Sequence, residues 1–238
     1  TRAERCARTM PKMGLSGAAS AGFDGARMGP PPDIPSLLLN NRIVYLGMPI
    51  NAGVSELIVA EFLYLQYESD MKACYVYINS PGLITEGRQL AGLDTEGFAI
   101  VDTMNYIKCP INTICVGKAY GFAALILASG DKGKRAVMPY SSVMLQQPIS
   151  YAQGQASDIK ISAVEALYNR RQQFEMLAQA TGQDLERITR DASRSFYMNA
   201  QQAIDYGIAD KVLEKEKVPM AQVASMPPAV AAMARGIQ

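Results

Sequence analysis

Histidine is absent from all 238 residues. That absence removes every mechanism requiring a neutral imidazole near pH 7, whether a nucleophile activated by histidine or a metal held by its nitrogens. Tryptophan is missing too, and no apolar run is long enough to cross a bilayer as a helix. Neither sign of charge is in surplus. The 23 basic and 22 acidic side chains are interspersed, so no basic stripe points to nucleic acid or a membrane surface as a partner. The four cysteines, Cys6, Cys74, Cys109 and Cys115, contain no CxxC pair, and read as buried free thiols of a reducing compartment. No metal and no cofactor is implied.

What is present is apolar character in about half of the residues (49%), enough for one substantial core in one domain with loose ends. Residues 1–34 are rich in Ala, Gly, Ser and Met, basic and poor in acids, and run into Gly29, Pro30, Pro31 and Pro32. This composition predicts a flexible arm ending in an extended spacer, and it fits the end of an organelle transit sequence, as does the lack of an initiator Met. Residues 217–238 are again small and Pro-containing and read as a tail.

The patterned part of the chain is organised around residues 115–130, CVGKAYGFAALILASG. A β-rich entry (Ile111, Ile114, Val116) runs into Gly117 and Gly121 and then into an apolar stretch suited to a buried helix. Strand, tight turn and helix in that order form the elbow that, in many α/β enzymes, lifts a nucleophile to a helix N-terminus. Here the elbow carries Tyr120, Gly121 and Phe122, none of them a usual nucleophile there.

Around it, residues 42–46 read as a strand. Asn51 is placed to cap a helix with Val54, Leu57, Ile58, Phe62 and Leu65 on its apolar side. Val59, Leu63 and Tyr64 make its other side apolar as well, which fits burial on two sides or a subunit contact. Residues 74–79 read as a strand whose Tyr75 and Tyr77 serve as edge packing or as a docking site. Residues 83–97 form a long loop, functional or disordered, before a helix over 98–108. The basic turn at 131–135 reads as solvated. Short strands follow at 136–138 and 142–146. A polar segment, 150–155, precedes the longest helix, over about 157–181, with Val164, Leu167, Phe174 and Ala178 on its apolar side and Gly182 as its stop. A helix over 185–192, a capping pair Asn199 and Gln202 for a helix ending at Gly207, and a strand over 208–213 complete the pattern. Strands alternating with helices predict an α/β fold with largely parallel pairing.

Seven blocks, in this order, carry a resemblance: YINSPG (77–82), DTMNYIK (102–108), ICVGKA (114–119), GDKGKR (130–135), QQP (146–148), GQASDI (154–159) and AIDYGIADKV (203–212). Together they closely resemble the ClpP family, the proteolytic subunits of the Clp protease, over roughly 35–216. The resemblance implies a crotonase-like fold, with a parallel sheet, flanking helices and an extended handle helix, stacked as two seven-membered rings around a chamber.

The departures from that family carry the functional expectation. The family's elbow reads ASMG, with its nucleophilic serine where this chain has Gly121. Its general base lies in an HQP block, where this chain has Gln146; its orienting acid follows an Arg, where this chain has Ser195 after Arg194. Glycine has no side chain, glutamine takes no proton at neutral pH, and serine cannot balance an imidazolium. About nine extra residues within 83–97 replace a short turn, and Leu83 stands at a glycine whose amide resembles half of an oxyanion hole. These departures resemble ClpR, the inactive paralogue that sits beside active ClpP in the mixed rings of plastids and cyanobacteria. They imply a non-catalytic structural or regulatory subunit of the chloroplast stroma or, alternatively, of a cyanobacterial cytoplasm. By position, Tyr75, Tyr77, Tyr106 and Leu213 match an apolar pocket for loops of a AAA+ unfoldase, with Ala136 where an aromatic is common. Gln153, Gly154 and Gln155, with the helix after them and Arg194, match the ring-to-ring contact. Two other readings compete: a hydrolase using Ser129 or Ser141 with Lys118 or Lys132, and a crotonase-type acyl-CoA enzyme.

Overall fold

The computed structural model describes residues 33–85, 87 and 89–214. Of the arm expected over 1–34, residues 1–32 lie outside the described residues, and Ile34 opens the first helix; the tail expected over 217–238 lies outside them too. The chain order is α1 (Ile34–Asn40), β1 (Ile43–Leu46), α2 (Ala52–Glu68), β2 (Cys74–Ser80), α3 (Asp94–Tyr106), β3 (Ile111–Tyr120) and α4 (Phe122–Ala128). Then come β4 (Arg135–Val137), β5 (Ser142–Leu145), α5 (Ala156–Thr181), α6 (Leu185–Asp191), β6 (Phe196–Met198), α7 (Ala200–Tyr206) and β7 (Lys211–Val212). One sheet runs β1-β2-β3-β4-β7, with β5 paired to β3 and β6 to β5. Every pairing is parallel except β5 with β6. The α/β class with a mostly parallel sheet is thus the observed one.

β3 is the axis of the sheet. Its first half pairs with β4 at Thr113–Cys115, while its second half, Lys118 to Tyr120, changes partner to β5. The strand therefore runs through Gly117 rather than turning there. A Cβ at Gly117 would meet Asn79 Oδ1, which instead accepts from the Lys118 amide at 3.3 Å. α4 follows with all seven residues buried, its Leu125, Ile126 and Leu127 at the centre of the core. Burying each such side chain stabilises the fold by roughly 1.5–3 kcal/mol.

The expected caps are in place. Asn51 Oδ1 accepts from the Val54 amide at 3.0 Å, Asn199 and Gln202 form a reciprocal capping box, and Gly182 and Gly207 end their helices in the left-handed region.

Several expectations are corrected. α3 begins at Asp94, four residues before the expected start. Asp94 and Glu96 favour the positive end of the helix, and Gly97, which reads as a loop glycine, is buried where a Cβ would collide with the Phe122 ring. Tyr75 and Tyr77 lie on an interior strand, since β2 has neighbours on both sides. Leu57 faces solvent, whereas Ser55 takes a core position and bonds to Glu96 O. On α5, Val164 and Leu167 are exposed and only the second half, through Phe174 and Leu177, enters the core. Three-residue β6 and helix α1 had no sequence signal, and the last strand spans two residues only.

The basic turn is not wholly solvated either. Arg135 is buried, and its guanidinium pairs with Asp210 at 2.6 Å while donating to Ala128 O and Ala180 O. This joins the C-terminal ends of α4 and α5 to the segment ahead of β7. The hydrogen bond from Arg135, helped by the Gly133 and Arg135 amides, holds the Asp210 carboxyl below its usual range. A depressed carboxyl supports the fold fully above the unfolded aspartate value of about 3.9. That support is lost as pH falls through the lower folded value. Asp210→Asn should lower stability by about 3 kcal/mol at pH 7, because it strands a buried guanidinium. The same substitution should flatten the pH dependence of the thermal midpoint below about pH 4. Chemical denaturation and acid titration of the two chains would measure both.

Candidate functional site

The site is built where β2 and β3 end. Past Tyr120 the chain turns at Gly121 with φ 55° and ψ −112°, a conformation that side chains rarely adopt. The Gly121 amide donates to Met144 O on β5 at 2.8 Å, which fixes the turn to the neighbouring strand. A Cβ built on Gly121 would meet nothing within 4 Å, so the turn aims at open space. Across from it stands Gly82, with φ 78°, where a Cβ would run into Tyr120 O. Only glycine lets these two main chains come so close.

The space beyond is a cavity of about 440 Å³, and Gly121, Gln146 and Ser195 all border it. The three positions singled out in the sequence are thus brought together, although the turn after β3, the residue after β5 and the segment after α6 supply them separately. Chemically the triple is not a Ser-His-Asp set. It offers no side chain, a neutral amide and an unassisted hydroxyl. Cys115, on the same strand, offers no replacement, because burial pushes its thiol up, away from the nucleophilic thiolate.

Two other members of the wall, Tyr197 and Gln173, had no place in the sequence reading. Tyr197 stacks edge to face on the elbow residue Tyr120 at 5.7 Å. Gln173 lies on the core side of α5, one residue before Phe174 and four before Leu177. That spacing of a polar residue within a buried face is the signal that would have found it. The long loop is partly structured. Ile84 pairs with Leu90 in an antiparallel bridge, flanked by bonds from the Thr85 amide to Gln89 O and from the Ala91 amide to Leu83 O, each 2.8 Å. Its first arm, Leu83 to Thr85, forms one side of the cavity.

The remaining expected residues lie elsewhere. Tyr75 and Tyr77 share one face of β2, and Tyr77 sits level with Tyr45 on β1 and Ile114 on β3, itself level with Ala136. Leu213 joins that sheet by donating its amide to Val137 O, and Tyr106 is exposed at the end of α3. None of these four borders the cavity. Gln153, Gly154 and Gln155 are exposed ahead of α5, and Arg194 is exposed next to Ser195. The proposed serine nucleophiles are committed to carbonyls: Ser129 Oγ donates to Leu125 O at 2.8 Å and Ser141 Oγ to Met138 O at 2.7 Å. Among the described residues no group of His, Cys, Asp or Glu could hold a metal, and no helix is long and apolar enough to cross a membrane.

The family model for Clp protease matches residues 31–216. A putative ATP-dependent Clp protease proteolytic subunit-like protein of Synechococcus elongatus is 48% identical over 198 residues, covering 79% of this chain and 87% of the relative. ATP-dependent Clp protease proteolytic subunit 2 of Gloeobacter violaceus is 48% identical over 206 residues, covering 87% of this chain and 91% of its own. The Arabidopsis thaliana proteolytic subunit-related protein 4, chloroplastic, is also 48% identical, over 79% of this chain and 61% of its own length. With a matched domain spanning most of the sequence and relatives 48% identical over most of their length, the chain belongs to the Clp protease family.

Proposed function

We propose that this chain is a non-catalytic, ClpR-type subunit of a mixed-ring Clp core, forming chamber wall beside subunits that do the cutting. One observation carries the reading: the cavity at the elbow is bordered by Gly121, Gln146 and Ser195, in a chain without histidine. These three positions supply no activated nucleophile, no side chain to accept its proton and no acid to orient a base. The names of several relatives, "subunit-like" and "subunit-related", point the same way. The Ser-Lys alternative loses support because the Ser129 and Ser141 hydroxyls donate to main-chain carbonyls.

Surfaces without a use in a lone chain support the ring. Ile159, Ile161, Val164, Leu167 and Tyr168 project from the first half of α5 into solvent, more apolar surface than a solvated helix carries. With Gln153, Gly154, Gln155 and Arg194 they form the ring-to-ring contact. The outer side of α2, with Leu57, Leu63, Tyr64 and Tyr67, meets the neighbouring subunit, active ClpP or another ClpR-type chain. Tyr75, Tyr77, Tyr106 and Leu213 receive the apolar loops of a AAA+ unfoldase. Ala136, small and buried, makes that pocket shallow. The chloroplastic and cyanobacterial relatives support a stromal location, with a cyanobacterial cytoplasm as the alternative.

In a core reconstituted with active partners, a fluorophosphonate probe should label those partners and leave this chain unlabelled. Peptide cleavage by the purified chain, abolished by a point substitution within it, would refute the reading. Native mass measurement should find it in one large particle with triad-bearing subunits; a solitary chain in their presence would refute the ring assignment. Tyr77→Ala should weaken unfoldase binding to the assembled core by about tenfold, the effect of losing one buried anchor, as read by surface plasmon resonance.

A further inference from the structure

Two thiols meet at the buried guanidinium of Arg42, and neither borders the cavity. The Nη2 of Arg42 lies 3.4 Å from Cys74 Sγ and 3.5 Å from Cys109 Sγ. The same nitrogen donates to the carbonyls of Leu65, Ser69 and Lys72, while Nε donates to Ala73 O and Nη1 pairs with Glu68. Oxygen acceptors thus already satisfy the group, and sulfur, a weak acceptor, adds little to its hydrogen bonding. The reason for two sulfurs here lies in what they can do to each other. The Cys109 thiol hydrogen-bonds to that of Cys74 as well as donating to Ser69 O at 3.2 Å. The main chains that carry them are held side by side. Cys74 opens β2 and donates its amide to Pro110 O at 2.8 Å, and Cys109 stands two residues before Ile111, the residue level with Cys74 on β3. Cys115, within β3, has Ser141 as its side-chain partner instead of a thiol.

We propose that Cys74 and Cys109 are a redox pair, converted by a peroxide into a disulfide that ties the start of β2 to the approach to β3. Cys109 reacts first. It is 3% exposed against 0% for Cys74, whose burial disfavours the thiolate, and it sits in the short irregular segment 107–110, where local opening admits a molecule as small as hydrogen peroxide. Its thiol loses a proton to solvent, and the guanidinium alongside favours the thiolate that results. The sulfur attacks one peroxide oxygen, the O–O bond breaks, and the departing hydroxide takes up a proton to become water. That leaves a sulfenic acid on Cys109. The Cys74 sulfur displaces its OH as a second water, giving up its own proton, and the S–S bond forms. Two thiols lose two electrons while one peroxide is reduced to two waters. Ser69 O, deprived of the Cys109 thiol, keeps its bond from Arg42, so no acceptor is stranded. The bridge closes a loop that contains the whole of α3, which restricts the unfolded chain and steadies the folded one.

The test treats the full chain with millimolar hydrogen peroxide, alkylates the remaining thiols and maps the digest by mass spectrometry. The expected product is a linked pair of peptides joined through Cys74 and Cys109, with Cys115 still alkylated, and dithiothreitol should restore both thiols. The oxidised chain should melt about 5 °C higher than the reduced one. Cys109→Ser, which keeps a donor for Ser69 O, should lose both the linked peptides and the rise on oxidation. Cys74 and Cys109 recovered separately after peroxide, a bridge to Cys6 or Cys115 in their place, Cys109 carried on to the sulfinic acid without a bridge, or a rise that survives Cys109→Ser would each overturn the proposal. Mapping of the unsubstituted chain decides the matter even if the serine variant does not fold. The outcome is independent of whether the chain cuts peptides or joins a ring, so its failure leaves the functional reading untouched.

Discussion

Where β2 and β3 end, two stretches of main chain lie against each other without any side chain between them. The carbonyl of Tyr120 occupies the place of a Cβ at position 82, and the register between the strands shifts at Ile78 and Ser80 just before they meet. Ser80 answers the irregularity with its hydroxyl, which donates to Met48 O and accepts from the Gly82 amide. The Gly82 carbonyl in turn receives the Ile50 amide at 2.8 Å, so the approach to α2 is fixed by the same contact. The cavity, the turn at Gly121 and the root of the inserted hairpin all take their positions from this abutment. Two glycines in left-handed conformations are the only local strain it requires.

A second theme is how helix ends are satisfied. α2, α4 and α5 have no basic residue in their last turns, so their terminal carbonyls depend on something remote. Two buried guanidinium groups supply it. Arg42 donates to Leu65 O at the end of α2 and to Ser69, Lys72 and Ala73 carbonyls beyond it, with Glu68 as its counter-ion at 3.0 Å. Arg135 does the same for α4 and α5. A planar fork with five donors suits several carbonyls converging from different directions, where a lysine would serve fewer. Beside Arg42, burial and then the neighbouring Cys109 raise the Cys74 thiol to about 11, against the pull of the guanidinium.

Much of this was legible in the sequence. The caps at Asn51 and Asn199, the stops at Gly182 and Gly207, and the strand-turn-helix around Gly121 are local devices, each encoded within a few residues. The ordered blocks of family resemblance placed Gly121, Gln146 and Ser195 together before any geometry did. What was misread depends on distant partners. Helical spacing makes Leu57, Val164 and Leu167 look like core residues, because periodicity identifies an apolar face without saying what that face meets. Arg135 resembles a surface residue of a basic turn until Asp210, seventy-five positions later, is folded against it. Gln173 was passed over because its signal lies in its spacing from Phe174 and Leu177, not in the residue type. β6 is too short for alternation to register, and its place beside β5 is a tertiary fact.

α5 has a mechanical side as well. At about 1.5 Å per residue its 26 residues make a rod of about 39 Å, gripped at one end by Gln173, Phe174 and Leu177 and unsupported toward the other. A cantilever of this kind contributes to its own body only through the clamped turns. The overhanging turns display isoleucine, valine, leucine and tyrosine at a cost in hydration that the folded chain never recovers. Whatever keeps those side chains greasy, it is not the cohesion of the molecule that carries them.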